Sequence, residues 1–280
     1  MAHGIVLSKD RAAQAHLALE SLQKNGNGLF DNLSVLYHYS TLSMRQGYEE
    51  LMKHFPTVTF INQMNYYEDI KSLVNVDYYL TSFFTDDDIM YNQIPVSRED
   101  IVKLFEDTED VLGCFSLRLG LNTSIQDPYL QSQTVPPTSG FHFIEDGKYT
   151  VWKWCDCPPY MNFGYPMSVD GHIFRTSELD RVISQCKFVN PNQQEIAMSG
   201  KSDMIKSLMA SFPASMVINT PINRVQSTCM NRAGEVCGQD PEEMNNKYLS
   251  GYKLSLDSVT TDNPPIVGCH QELNIQWIMK

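Results

Sequence analysis

Gly4-Ile5-Val6-Leu7 is a short apolar run, cut off by the polar Ser8-Lys9-Asp10-Arg11. A run of this kind between polar residues reads as a buried strand. From about Ala12 to Lys24, Ala15, Leu17, Leu19 and Leu22 supply a broad apolar face that predicts a helix. Asn25-Gly26-Asn27-Gly28 closes it with residues that tolerate positive φ. The pattern then recurs. Leu33 to Tyr39 reads as a second strand, and Ser40-Thr41 can cap a helix reaching about His54. Thr57 to Ile61 is a third strand, Tyr66 to Leu73 a third helix, and Tyr78 to Phe84 a fourth strand. Such alternation predicts an α/β fold, a single Rossmann-like three-layer α/β/α domain with a mainly parallel central sheet.

Beyond residue 90 the pattern is less regular. Ser97-Arg98-Glu99-Asp100 has the form of a capping box and opens a helix ending near Asp107. Val111 to Leu119 reads as another buried strand. Residues 122–140 are polar and carry Pro128, Pro136 and Pro137, which predicts a surface loop able to act as a lid. Phe141 to Ile144 and Tyr149 to Trp154 flank Glu145-Asp146-Gly147-Lys148, the signal of a small antiparallel hairpin. Gly171 to Phe174 is a short strand, Ser177 caps a helix to about Cys186, and Asn192-Gln193-Gln194-Glu195 is a second capping pattern. Ser215 to Ile218 is strand-like, Met230 to Asp240 reads as a polar loop, and Pro241 opens a helix to Leu249. The tail from Pro264 reads as a loop and a last strand near Trp277, and no repeat or low-complexity linker divides the chain.

Composition narrows the partners. The formal net charge of −12 argues against nucleic acid, whose backbone is bound by Lys and Arg. A small phosphorylated ligand stays compatible, because a metal and one or two basic residues can offset its charge. No run approaches the ~20 apolar residues of a membrane span, so no integral membrane segment is expected. Met1 to Leu7 reaches polar residues too soon for a signal peptide, which predicts a cytoplasmic protein, the inner face of a membrane included. The seven cysteines are scattered, and Cys155-Asp156-Cys157 has no second pair at zinc-site spacing, so reduced thiols are expected.

The strongest chemical signal is Asp86-Asp87-Asp88, directly after Thr81-Ser82-Phe83-Phe84-Thr85. Three adjacent carboxylates repel one another unless a cation or solvent relieves them. Hard oxygen donors at the exit of a buried strand suit Mg²⁺ or Mn²⁺ shared with a phosphate. A solvated acidic turn is the plainer alternative. In open α/β sheets ligands bind beyond the carboxyl ends of the strands, where Ser8 to Arg11, His38 to Ser40 and the aspartates converge.

With these residues in place, the chain resembles the nucleotide-sugar-dependent glycosyltransferases of the A-type fold, most of all the inverting, family-two-like enzymes. Leu7-Ser8-Lys9-Asp10-Arg11 and the helix ending Leu19-Glu20-Ser21-Leu22 are similar to their first nucleotide-binding loop and helix. Leu33 to Ser40 is similar to their second strand, and Phe84-Thr85-Asp86-Asp87-Asp88 to their Asp-x-Asp motif. Phe174-Arg175-Thr176, followed by Asn190-Pro191-Asn192-Gln193-Gln194-Glu195, resembles the acceptor-side strand and the acidic position of inverting members.

The resemblance implies transfer of a sugar from a UDP- or GDP-sugar donor to a saccharide or other hydroxyl acceptor, with Mn²⁺ or Mg²⁺ as cofactor. Residues 1–120 would form the nucleotide-binding half and 121–280 the acceptor-side half. Asp86 and Asp88, with His270, would hold the metal. Ser8, Lys9, Asp10, Arg11, His38, Tyr39, Asp86, Asp87 and Arg118 would face the nucleotide, and Glu195, or else Asp170, would take the acceptor's proton. The chain departs from the family in two places: His38-Tyr39 stand where an aspartate usually contacts the base, and Glu195 lacks an adjacent Asp.

Each assignment has a plainer counterpart. Glu195 with Asn192 makes a capping box, Asp170 before glycine is ordinary turn chemistry, and Asp10 can be a helix cap. Arg118 within an apolar strand needs a partner, which the aspartates or a phosphate could supply. A lone His270 is commonly structural, and Trp152 and Trp154 suit core packing as well as sugar stacking. Two other classes stand beside the transferase: a non-catalytic nucleotide- or carbohydrate-binding protein, and a sugar nucleotidyltransferase. The glycine-rich phosphate loop of the latter is missing, since Ser8 to Ala13 contains no glycine.

Overall fold

The first strand, β1 (Ala2–Lys9), is buried on both faces, and its side chains divide by parity. Ala2 and Val6 enter one core layer, Ile5 and Leu7 the other. Both layers must therefore be covered by helices. The computed structural model describes residues 1–126, 131–132, 140–159, 161–226, 228, 233–235, 237–259 and 266–280.

The chain continues through α1 (Ala12–Asn25), β2 (Asn32–His38), α2 (Leu42–His54), β3 (Thr59–Asn62), α3 (Tyr66–Leu73) and β4 (Leu80–Thr85). These four strands are parallel and lie in the order β3-β2-β1-β4. The expected alternation is thus met element by element. Thr41 caps α2 by accepting from the Met44 N–H at 3.2 Å, and Asn65 caps α3.

The second half begins with β5 (Asp88–Met90), α4 (Arg98–Asp107), β6 (Leu112–Ser116), β7 (Ile125–Gln126) and β8 (Gln131–Ser132). It goes on through β9 (His142–Ile144), β10 (Tyr149–Lys153), β11 (His172–Arg175), α5 (Thr176–Ile183), α6 (Pro191–Ser199) and β12 (Leu208–Ser211). Last come β13 (Val217–Asn219), α7 (Pro241–Leu249), β14 (Tyr252–Leu254) and β15 (Trp277–Met279). Among the described residues, one nine-stranded sheet runs β3-β2-β1-β4-β11-β6-β12-β10-β9. It is mixed: the four-strand parallel core is joined through β11, which is antiparallel to both β4 and β6. Small antiparallel pairs, β5 with β13 and β14 with β15, flank it.

Side chains from α1, α2, α4 and α7 fill one layer, through Leu19, Tyr48, Phe105 and Tyr248. Those from α3, α5 and α6 fill the other, through Ile70, Leu179 and Met198. This is the expected three-layer α/β/α arrangement. Among the described residues no helix is long and apolar enough to cross a membrane.

Several local expectations are corrected. The β9–β10 hairpin forms as read, and it joins the main sheet through β12. Strand β6 ends at Ser116, so Arg118 lies just beyond it. Helix α5 starts at Thr176, with Arg175 rather than Ser177 in the cap position. Helix α6 is capped by Asn190, whose side chain accepts from the Gln193 N–H at 2.9 Å, with Pro191 at its first position. Asn192 and Glu195 therefore make no capping box. The lid expected over 122–140 falls largely on residues 127–130 and 133–139, outside the described ones, as does part of the Met230 to Asp240 loop.

Candidate active site

After β1 the chain winds outward to β3, then returns to β4 on the other side of β1. The winding direction reverses there, and a crevice opens at the carboxyl ends of the two strands. A cavity of about 510 Å³ occupies it. Ser8, Lys9 and Arg11 line it from the end of β1, His38 and Gln63 from the ends of β2 and β3, and Asp86 and Asp87 from the turn after β4. The far wall comes from the second half: Asp170, Asn190, Glu195, Asn219 and His270.

The three aspartates have different surroundings. Asp86 Oδ2 accepts from the Ser8 hydroxyl at 2.8 Å and the Lys9 N–H at 3.3 Å, and its Oδ1 from Arg11 at 2.9 Å. Asp87 Oδ2 accepts from the same guanidinium nitrogen at 3.1 Å, and its Oδ1 from the Asn219 amide at 3.1 Å. Arg11 is completed by Asn223, whose side-chain oxygen and carbonyl accept from its Nε and its other terminal nitrogen. Burial lifts the Asp86 carboxyl, Arg11 pulls it back and Asp87 lifts it again, to about 6.

Asp88 is set back from the cavity and 1% exposed. It opens β5 and pairs with Asn219 of β13, and its oxygens accept from the Thr85 N–H at 2.8 Å and the Asn219 amide at 3.0 Å. Burial, then the charges of Asp170 and Asp87, push its carboxyl well above the ordinary range. His270 is engaged at both ring nitrogens, Nδ1 facing Asn219 Oδ1 and Nε2 facing Arg118, each at 3.2 Å. Nδ1 must donate and Nε2 accept, because the Arg118 nitrogen can only donate. Burial first, then Arg118, lowers the ring to about 4, so it is neutral.

The expected metal set of Asp86, Asp88 and His270 is therefore not assembled. Among the described residues no group of three or more His, Cys, Asp or Glu side chains could hold a metal. What faces the cavity is the pair Asp86 and Asp87. Mg²⁺-type ions are commonly held by one or two carboxylates together with substrate phosphates, and this pair fits that pattern.

Arg118 is buried behind the wall rather than on it, which corrects its expected contact with the nucleotide. One terminal nitrogen donates to Asp170 at 2.6 Å and Ser168 Oγ at 2.9 Å, and the other to Asn162 at 3.0 Å as well as meeting His270. Asp170 also accepts from the Thr85 hydroxyl at 3.3 Å. Gly171 follows with φ +71°, where any side chain would be strained. Its N–H donates to Phe83 at 2.8 Å and its carbonyl accepts from Leu117 at 2.9 Å, which fixes the turn carrying Asp170.

Glu195 projects from α6 onto the same wall. Its Oε1 accepts from the Ser168 hydroxyl at 2.8 Å and the Val169 N–H at 3.2 Å. Burial first, then the charge of Asp170, raises its carboxyl against the pull of Arg118, to about 7. A carboxylate that takes up a proton near neutrality has the affinity a general base needs.

Two further expected nucleotide contacts do not reach the cavity. Asp10, at φ 56°, turns back onto the next loop, its two oxygens accepting from the Ser40 N–H at 2.6 Å and the Ser40 hydroxyl at 2.7 Å. It is neither a helix cap nor on the wall, since Arg11 holds the cap position of α1. Tyr39 packs beside Tyr37 and His38, off the wall. Trp152 and Trp154 donate their ring N–H to the carbonyls of Phe163 and Lys206, each at 2.8 Å, and so belong to the framework. Sequence reasoning missed Gln63, Ser168, Asn219 and Asn223. Single amides and hydroxyls in loops or at strand ends carry no periodic signal, and topology alone brings them together.

No family model matches the chain. Over 195 residues it is 27% identical to the bifunctional glycosyltransferase pgtA of Dictyostelium discoideum. The chain is similar to a glycosyltransferase. The match takes in 64% of this chain and 24% of pgtA, so the chain spans about a quarter of that relative's length. Among solved structures, S. aureus TarS 1-349 in complex with UDP overlays with a TM-score of 0.45 at 12% identity, covering 78% of this chain and 60% of that one. A cytidylyltransferase from Leptospira borgpetersenii overlays with a TM-score of 0.41 at 13% identity, covering 78% and 81%. The resemblance expected from the motifs is met by pgtA, and the observed sheet and helix layers have the expected fold.

Proposed function

We propose that the chain transfers a sugar from a nucleotide-diphosphate donor to an acceptor hydroxyl, with inversion, and with the help of a divalent metal. The observation that carries this reading is the placement of Glu195, its carboxyl raised to about 7, on the wall of the cavity that Arg11, Asp86 and Asp87 line opposite. One side offers a place for a diphosphate, the other a proton acceptor.

The donor's diphosphate lies toward Lys9 and Arg11, and the acceptor hydroxyl toward Glu195. Glu195 takes the hydroxyl proton as the oxygen attacks the anomeric carbon and the bond to the diphosphate breaks. The acceptor keeps the new carbon–oxygen bond, the diphosphate leaves with the bonding pair, and the proton stays on Glu195 until solvent removes it. Attack opposite the leaving group gives inversion. Arg11 and Lys9 face the negative charge that grows on the leaving group. Asp86 and Asp87 would hold Mn²⁺ or Mg²⁺, which when bound supplies Lewis-acid stabilisation of that charge. Asp170 touches no reacting atom in this scheme: tied to Arg118 and Thr85, it positions the turn and strengthens Glu195 as a base.

The test is a panel of nucleotide sugars incubated with the protein and Mn²⁺, read as nucleoside diphosphate released with and without a saccharide acceptor. Release of a nucleoside diphosphate supports transfer. Pyrophosphate chemistry in its place would point to a nucleotidyltransferase, and binding without turnover to a non-catalytic protein.

A further inference from the structure

Arg118 stands behind the wall that carries Glu195, and the direction of its hydrogen bonds is fixed by chemistry. It is buried, and a guanidinium can only donate. Each terminal nitrogen has two partners: Asp170 and Ser168 for one, Asn162 and His270 for the other. Ser168, also buried, is the link to Glu195. Its Oγ accepts from Arg118 at 2.9 Å and from the Asp170 N–H at 3.2 Å. Both lone pairs are taken, so the hydroxyl proton has one direction left, toward Glu195 Oε1 at 2.8 Å. No tautomer change or amide rotation reverses this order, because a guanidinium and a backbone N–H have no acceptor form.

The two oxygens of Glu195 thereby differ. Oε1 receives the Ser168 hydroxyl and, at 3.2 Å, the Val169 N–H. Oε2 has no hydrogen-bond partner among the described residues, yet it is not one of the buried polar atoms left unpaired, so it keeps contact with solvent. Glu195 lines the cavity, which makes Oε2 the oxygen open to a ligand there. The charged and titratable groups around this carboxyl are Asp170 from the turn before β11, Arg118 from the segment after β6, and Tyr165. Burial and Asp170 raise it, while Arg118, the Ser168 hydroxyl and the Val169 N–H favour its ionised form.

We propose that Ser168 and Arg118 are positioning residues for the base: Arg118 orients the Ser168 hydroxyl, the hydroxyl holds Oε1, and Oε2 takes the acceptor's proton. This rests on the nucleotide-sugar reading above, in which Glu195 is that base. The proton passes from the acceptor oxygen to Oε2 as that oxygen bonds to the anomeric carbon, and the diphosphate leaves with the bonding pair. Neither Ser168 nor Arg118 touches a reacting atom or changes its proton count. Their work is to pin the carboxylate and to keep it ionised close to neutral pH.

Infrared difference spectroscopy against Glu195→Gln reads the protonation midpoint of Glu195 with no substrate present. In Ser168→Ala that midpoint is expected to rise by about one pH unit, because a hydrogen bond to the ionised form is lost. Ser168→Thr and Ser168→Val share one shape and differ in the hydroxyl, so any packing cost is common to both. The Thr variant is expected to keep the wild-type midpoint and the Val variant to move with Ala. With any nucleotide sugar that wild type turns over, the limb of the kcat pH profile is expected to move by the same amount. In Ser168→Ala kcat then falls about fivefold at pH 7 and recovers most of the loss by pH 9. An unchanged midpoint in the Ala and Val variants overturns the proposal, as does a loss of kcat that is the same at every pH. A midpoint that moves while the kcat limb stays in place, or no turnover of any donor, overturns the nucleotide-sugar reading and the positioning role with it. The midpoint by itself still reports the hydrogen-bond chain, so the two failures are told apart.

Discussion

Asn190 rather than Asn192 caps α6, and that shift of two positions frees the Glu195 carboxylate for Ser168 and Val169. The sequence offered a capping box and a base as competing roles, and only backbone geometry separates them. Glu195→Gln keeps an oxygen for both donors but removes the proton acceptor. The expected result is a fall in kcat of about 10²–10⁴-fold with nucleoside diphosphate affinity unchanged, measured by steady-state kinetics and calorimetry. The pH profile carries the same assignment. A base must be unprotonated, so kcat is expected to rise about tenfold per pH unit toward about 7 and to level off above it. Stability runs the opposite way. A carboxyl raised in the folded state contributes most below the unfolded carboxylate's range and loses that contribution as pH rises through about 7. The Gln variant is therefore expected to gain in melting temperature relative to wild type as pH is raised from 5 to 8. Asp88 and His270 depart from the expected metal set for other reasons: adjacency to a motif does not say which way Asp88 turns, likeness to a late histidine does not say what His270 meets, and Asn219 engages both.

Arg11 links three elements: the loop after β1, the acidic turn after β4, and the segment at Asn223. Removing it leaves two buried carboxylates facing each other without a cation. Breaking a buried ion pair in this way typically costs about 3–5 kcal/mol. Arg11→Met is expected to lose stability in that range by urea denaturation near neutral pH. A loss within the error of the method would show that the ion pairs do not hold the triplet in place. The elements around this link differ in how legible they were. β1 to β4 announce themselves because strands buried on both faces are apolar throughout and are separated by amphipathic helices. β5 is three residues, too short for any period to show; β13 is read as strand-like but not as the partner of β5, and β11 is read as a strand but not as antiparallel. The fate of Asp88 depended on the short pair.

At the scale of the molecule, the strand order creates the site. The reversal between β1 and β4 opens the crevice, β2 and β3 extend it toward Gln63, and β11 brings Asp170 and Gly171 to its far side. The first half was readable because its alternation obeys one rule. The second half contributes single residues from a helix, a short strand and loops, and their arrangement needed coordinates. With a net charge of −12, the anionic donor proposed above would depend on local cations, Lys9 and Arg11, and on the divalent metal proposed with it. Nucleoside diphosphate and Mn²⁺ are thus expected to stabilise the protein together, by about 2.7 kcal/mol at one hundred times the dissociation constant. A metal chelator should remove most of the shift in a thermal melt.

Activation of a nucleotide sugar in this cavity is tested by nucleoside diphosphate release from a panel of UDP- and GDP-sugars in Mn²⁺, compared between wild type and Glu195→Gln. Wild type is expected to release it from at least one donor, and the variant about 10²–10⁴-fold more slowly. Equal release by the two proteins would rule this chemistry out, as would no release and no binding with any donor.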